Sequence, residues 1–131
     1  MNNFTYRKYL LAGRKTVTEQ TLQRLAAANE SKVRLRVAEN NRCPPEVLEL
    51  LAQDQFADVR IAVALNERAE RQLVSKLSQD QNPDVRFMVA SAAYLPREIL
   101  ERLSSDENPY VRWRASRTLF RLAPRQRKEA I

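Results

Sequence analysis

Apolar residues return along the chain as paired short stripes. In "PPEVLELLAQD", which starts at Pro44, the residues Val47, Leu48, Leu50 and Leu51 follow a 3.6-residue period. Pro in a first turn loses nothing by its missing N–H, and Glu46 suits the positive end of a helix. A few residues on, "DVRIAVALN" gathers Val59, Val63 and Ala64 on one side of a second helix. Polar linkers separate the two stripes: "QFAD" here, "QNPD" and "ENPY" later. Asn-Pro favours a turn followed by an element opening at the proline. The pattern predicts units of two short helices, neither able to bury its apolar face alone.

The pattern repeats every 26 residues. Val-Arg occurs at Val33-Arg34, Val59-Arg60, Val85-Arg86 and Val111-Arg112. Leu25, Leu51, Leu77 and Leu103 keep the same step, as do Leu22, Leu48, Val74 and Leu100. Val37, Val63, Val89 and Ala115 do so too, each followed by a small residue: Ala38, Ala64, Ala90 and Ser116. Stacked units of this kind bury one continuous core, which is the physical basis of a solenoid. The organisation expected is a basic capping segment over 1–15, four repeats over 16–122 and a basic tail over 123–131.

The stretch "VRLRVAENNRCPPEVLELLAQD", residues 33–54, resembles the leucine-rich repeat variant family. That family's repeats pair Val-Arg-x-x-Val-Ala-x-Asn with Pro-Pro-Glu-Val-Leu-x-x-Leu-Ala-x-Asp. The units "DQNPDVRFMVAS" and "DENPYVRWRAS" also resemble HEAT-like repeats. The resemblance spans roughly 16–122 and implies an all-α, right-handed superhelix, with one helix of each pair short or of 3₁₀ type. It implies no single biochemical function. Some members hold an iron–sulfur cluster on an N-terminal cysteine segment; this chain lacks those cysteines, and no cofactor is expected.

Composition agrees with helices and narrows the chemistry. One glycine in 131 residues argues against a turn-rich β fold. The single cysteine, Cys43, excludes an internal disulfide and a cysteine cluster, and is expected to be a buried or half-buried thiol. There is no histidine, hence no imidazole base or ligand. With no Gly-rich loop and no serine in a nucleophile setting, an enzyme is not expected. Neither is a metal site. No apolar run approaches a membrane span, and "MNNFTYRKYLLAGRK" has no signal-peptide core. A cytoplasmic protein is expected.

The net charge of +7 belongs to the two ends. Arg7, Lys8, Arg14 and Lys15 carry the first, and Arg112, Arg114, Arg117, Arg121, Arg125, Arg127 and Lys128 the second. The remainder has 12 basic residues against 15 acidic ones.

Two columns of the second helix carry the functional question. Arg34, Arg60, Arg86 and Arg112 form one row, and Asp54, Asp80 and Asp106 each lie six residues before the last three. The expectation is a structural ladder in which each Arg reaches back to the carboxylate of its own repeat. Arg34, with Ala28 in place of the aspartate, would be the exception and freer. A phosphate-binding row is the alternative. The other column, Leu35, Ile61, Phe87 and Trp113, points away from Val85 and Val89 by helix geometry. It is either additional core or an exposed ridge, bordered by Arg36, Leu65, Met88, Arg114 and Arg117. As a ridge it would hold a protein or peptide partner. The function expected is a non-enzymatic scaffold or adaptor binding through that face. The alternative is nucleic-acid binding through Arg7, Lys8, Arg14, Lys15, Arg121, Arg125, Arg127 and Lys128. A monomer or end-to-end self-association is expected, since solenoid ends can stack.

Overall fold

The computed structural model describes residues 1–129, with side chains through Ala123. The described residues are helical and contain no strand. After α1 (Asn3–Ala12), the helices alternate as first and second members of each repeat. The first helices are α2 (Glu19–Leu25), α4 (Pro45–Leu51), α6 (Arg71–Leu77) and α8 (Arg97–Leu103). The second helices are α3 (Ser31–Glu39), α5 (Ala57–Leu65), α7 (Pro83–Val89) and α9 (Pro109–Glu129). Both series start at steps of 26 residues. The chain is an α-solenoid of helical repeats.

Local chemistry sets the boundaries. Thr18 caps α2 by accepting the Thr21 N–H, and Asn82 caps α7 by accepting the Asp84 N–H. Pro45 and Pro83 stand in the first turns of α4 and α7, where no helical N–H is required. Helices of seven to nine residues are too short to persist alone in water. Packing therefore holds them. The second helices stack directly in sequence, α1 on α3, α3 on α5, α5 on α7 and α7 on α9, while α2, α4 and α6 each pack against the second helices before and after them.

The repeat columns form the core. Val33, Val59, Val85 and Val111 are at most 1% exposed, as are Val37, Val63, Val89 and Ala115. Leu22, Leu48, Val74 and Leu100 are fully buried. Cys43 lies in the same core, and burial pushes its thiol up to about 12.

Two boundaries differ from expectation. The first 15 residues are more than a basic cap: Ala12 stands one step before Ala38, and α1 packs on α3 as each second helix packs on the next. Thus α1 begins the row of second helices. At the other end, residues expected as a tail from 123 onward continue α9 as far as Glu129. Residues 130–131 lie outside the described residues.

Candidate interaction face

The arginine ladder joins neighbouring repeats. Arg60 Nε donates to Asp80 Oδ2 at 2.8 Å and its Nη2 to Oδ1 at 3.0 Å. The third nitrogen, Nη1, donates to the backbone oxygen of Asp54 at 2.7 Å. Arg86 repeats the arrangement with Asp106, at 2.8 and 3.1 Å, and with the Asp80 backbone oxygen at 2.7 Å. Each guanidinium thus spans the linker of its own repeat and the carboxylate of the next. The bidentate fork suits a planar carboxylate. The Asp completes its set with a turn: Asp80 Oδ1 accepts the Asn82 N–H, and Asp106 Oδ1 the Asn108 N–H.

Two expectations are corrected by this direction of pairing. Arg34 is not free: its Nε donates to Asp54 Oδ2 at 2.6 Å, and Nη1 reaches the Ala28 oxygen that replaces an aspartate's. Ala28 is tolerated because only its backbone is used. Arg112 is the exception. Its Nη1 binds the Asp106 and Glu107 backbone oxygens, it pairs with no carboxylate among the described residues, and its side chain is exposed. One step before Arg34, Lys8 Nζ lies 3.7 Å from Glu30.

The charges respond as such pairing requires. Burial alone would raise Asp54 and Asp106, but the hydrogen bonds from Arg34 and Arg86, with the turn N–H groups, outweigh it and hold both carboxyls below their ordinary value. The Asp80 hydrogen bonds raise Arg60 further, against the effect of burial.

The outward column is graded. Leu35, Ile61 and Phe87 are half-buried and pack on the core, so their inner halves are core and their outer halves surface. Trp113 is 54% exposed, and Leu65 beside the column is also 54% exposed. Met88, Arg36 and Arg114 are half-buried and Arg117 is exposed. Aromatic rings and guanidiniums are interleaved here. Arg36 lies 5.2 Å from the Tyr9 ring centre, Arg114 6.0 Å from Phe87 and Arg117 5.2 Å from Trp113. In the first two, an Arg covers an aromatic residue of the preceding second helix. Where that residue is Leu35 or Ile61, Ala62 or Met88 replaces the Arg. Gly13 leaves room for the Arg36 guanidinium, which a Cβ there would strike.

Shallow depressions follow the face. One of about 320 Å³ is lined by Leu35, Ile61 and Leu65 with Glu39 and Asp58. Another of about 290 Å³ is lined by Trp113, Arg117, Phe120 and Arg121. Acids therefore edge one part of the face and arginines the other.

The basic ends lie apart, α1 beginning the row of second helices and α9 ending it. Lys8 is engaged by Glu30 and by the Phe4 ring at 4.6 Å, whereas Arg7, Arg14, Lys15 and Arg121 are exposed. Arg125, Arg127 and Lys128 fall in the final turns of α9, and their side chains lie outside the described residues. Among the described residues no helix is long and apolar enough to cross a membrane.

Sequence reasoning missed a second ladder. Asn40 and Asn66, one repeat apart, each donate to two backbone oxygens of the preceding repeat, at 2.7 and 3.0 Å in both cases. Thr118 donates to the Ala90 oxygen at 2.6 Å in the same register. The 26-residue spacing of the asparagines was the available signal.

The family model described as leucine rich repeat variant matches residues 32–56 and 83–108. Comparisons with curated proteins and with solved structures found no match. The matched segments contain Val33-Arg34 and Val85-Arg86 with the aspartates they bind, Asp54 and Asp106, and the 26-residue spacing extends to the unmatched units. Two segments of this helical-repeat chain are thus similar to leucine rich repeat variant units.

Proposed function

We propose that the protein is a non-enzymatic scaffold that binds a protein partner on the face formed by its second helices. The observation that carries this reading is Trp113, 54% exposed at the end of a half-buried apolar column with Arg117 stacked on its ring. Tryptophan and arginine are the side chains that most often anchor protein interfaces. Leu35, Ile61, Phe87, Leu65 and Met88 supply apolar area, and Arg36, Arg114 and Arg117 border it. The short helices give the column a stiff backing, so little order need be gained on binding. The test compares proteins captured by the native chain and by Trp113→Glu. The variant should keep its helical circular dichroism and its melting temperature and lose a defined captured species. An unchanged captured set, or an unfolded variant, contradicts the reading.

A second reading, nucleic-acid binding, has one observation in its favour. Arg112, Arg117 and Arg121 are exposed on α9, and none forms an ion pair with a carboxylate among the described residues. Against it, Lys8 is engaged, and a slightly acidic middle separates the two basic ends. Binding to duplex or single-stranded oligonucleotides that weakens steeply with salt would support it. No binding at low salt would remove it.

A further inference from the structure

Asn40 and Asn66 use every part of the carboxamide. Beyond the two donated hydrogen bonds, Asn40 Oδ1 accepts the Arg42 N–H and Asn66 Oδ1 the Arg68 N–H, both at 2.9 Å. The next residue in this register is Ala92. Helix α7 ends at Val89, two residues earlier in the repeat than α3 and α5, but the turn hydrogen bonds at this position match. The Ala92 N–H donates to Val89 O at 3.0 Å, as Asn66 does to Val63 O at 3.1 Å. The Leu95 N–H donates to Ala92 O at 3.2 Å, as Ala69 does to Asn66 O at 3.0 Å.

The carboxamide is missing, and the groups that would bind it remain. Among the described residues the Ala64 oxygen has no donor and the Tyr94 N–H no acceptor, while the Asn66 oxygen keeps only the Ala69 N–H. A cavity of about 380 Å³ opens there, and Ala64, Asn66, Ala92 and Tyr94 all line it. Glu67 and Arg71 also line it, with the Arg71 guanidinium 5.7 Å from the Tyr94 ring centre. Two carbonyl acceptors and one N–H donor are the complement of a primary carboxamide's NH₂ and C=O.

The geometry points to a docking site at Ala92 for one primary carboxamide, the side chain of an asparagine or glutamine on a partner protein. This rests on the protein-binding reading above and names a group that the partner presents. The incoming amide takes the place that Asn40 and Asn66 fill from within. Unpaired backbone groups in a concave site favour a ligand that satisfies both signs of hydrogen bond over an apolar one. The Glu67 and Arg71 charges at the site suit the flanking backbone or side chains of a polar peptide.

The experiment is a ¹⁵N-resolved NMR titration of the full chain with acetamide, with N,N-dimethylacetamide as a control that lacks N–H donors. Ala92→Asn supplies the carboxamide internally. Acetamide should give saturable shifts at the amides of Tyr94, Ala92 and Ala69. The control should give none that saturate, and Ala92→Asn should abolish the acetamide response and raise the melting temperature. No saturable shift in the native chain overturns the proposal, as does an unchanged titration in Ala92→Asn. A raised melting temperature without acetamide shifts means that water alone holds the slot, and also overturns it. The outcome for Trp113→Glu is read separately, so the ridge can fail while the carboxamide site stands, or the reverse.

Discussion

Arg60 and Asp80 meet at 2.8 Å although they belong to different repeats and stand 20 residues apart. The same guanidinium holds the backbone oxygen of Asp54, six residues before it. One side chain therefore ties the linker of its own repeat to the linker of the next. The Arg60 and Asp80 side chains are 9% and 7% exposed, so loss of the guanidinium would leave a carboxylate with little access to water.

From that burial, Arg60→Ala is expected to lower stability by about 3 kcal/mol, the cost of breaking a largely buried pair. Arg112→Ala, which removes an exposed guanidinium paired with no carboxylate among the described residues, is expected to cost under about 1 kcal/mol. Arg97→Ala, which removes an exposed pair with Glu101, belongs with Arg112. Urea unfolding followed by circular dichroism measures all three. Equal midpoints for Arg60→Ala and Arg112→Ala would show that the carboxylate adds nothing.

The aspartates predict an acid response with a definite sign. Asp54 and Asp106 have folded-state values below the ordinary carboxyl value, so the unfolded chain binds protons more readily. Their contribution to stability is full above the ordinary carboxyl range, about pH 4 to 5, and is lost as pH falls through the lowered folded values. Melting temperature should fall steeply below about pH 4 in the native chain. It should fall less steeply in Asp106→Asn, which starts lower at neutral pH. Parallel curves for the two would mean that Asp106 titrates alike in the folded and unfolded chain.

Much of this architecture was legible from spacing. Helices recur at the step of the Val-Arg pairs because the apolar columns that repeat are the columns that stack. The partner of each arginine was not legible. Asp80 stands six residues before Arg86 and 20 after Arg60, and a linear sequence offers both distances equally. Stacking decides between them, since the linker of the next repeat brings its carboxylate beside the preceding arginine. Arg34 was the clue, as the arginine column continues where Ala28 leaves no aspartate behind it. The exposure of the ridge was illegible for a similar reason. A helical period gives direction, and the neighbour that covers Phe87 more than Trp113 comes from the stack.

That graded ridge predicts unequal responses along one column. Ile61→Ala removes half-buried methyl groups packed on the core and should cost about 2 kcal/mol. Trp113→Ala, at a mostly exposed position, should stay within about 0.5 kcal/mol. Phe87→Glu should destabilise more than Trp113→Glu, because its inner half would place a carboxylate against core residues. Thermal unfolding of the four variants checks the order. A Trp113 variant as damaging as the Ile61 variant would place the whole column in the core.

The asparagine ladder predicts a loss that sequence position alone would not suggest. Asn66 is 9% exposed and its Nδ2 serves the Ala38 and Asn40 oxygens. Asn66→Ala strands both oxygens and the Arg68 N–H, and should cost about 2 kcal/mol. Asn66→Asp keeps the Oδ1 acceptor but turns a carboxylate toward two carbonyls, and should be worse at neutral pH than at acid pH, where the protonated group can donate. Unfolding midpoints at the two pH values separate these effects. If Asn66→Asp matched Asn66→Ala at both, the donated hydrogen bonds would contribute nothing beyond the space the side chain fills.

Cys43 supplies a direct reading of whether the stack opens as one unit. The thiol is fully buried and pushed up to about 12, so almost no thiolate exists at neutral pH and no reagent reaches the sulfur in the closed chain. Its modification by a disulfide reagent should therefore track opening of α4 from α3 and α5. In a cooperative solenoid that rate should slow with any change that stabilises the stack and accelerate in Arg86→Ala, although Arg86 lies two helices away from α5 in sequence. An Arg86→Ala chain that labels at the native rate, while its melting temperature falls, would mean that the repeats open separately and that the ladder couples only adjacent units.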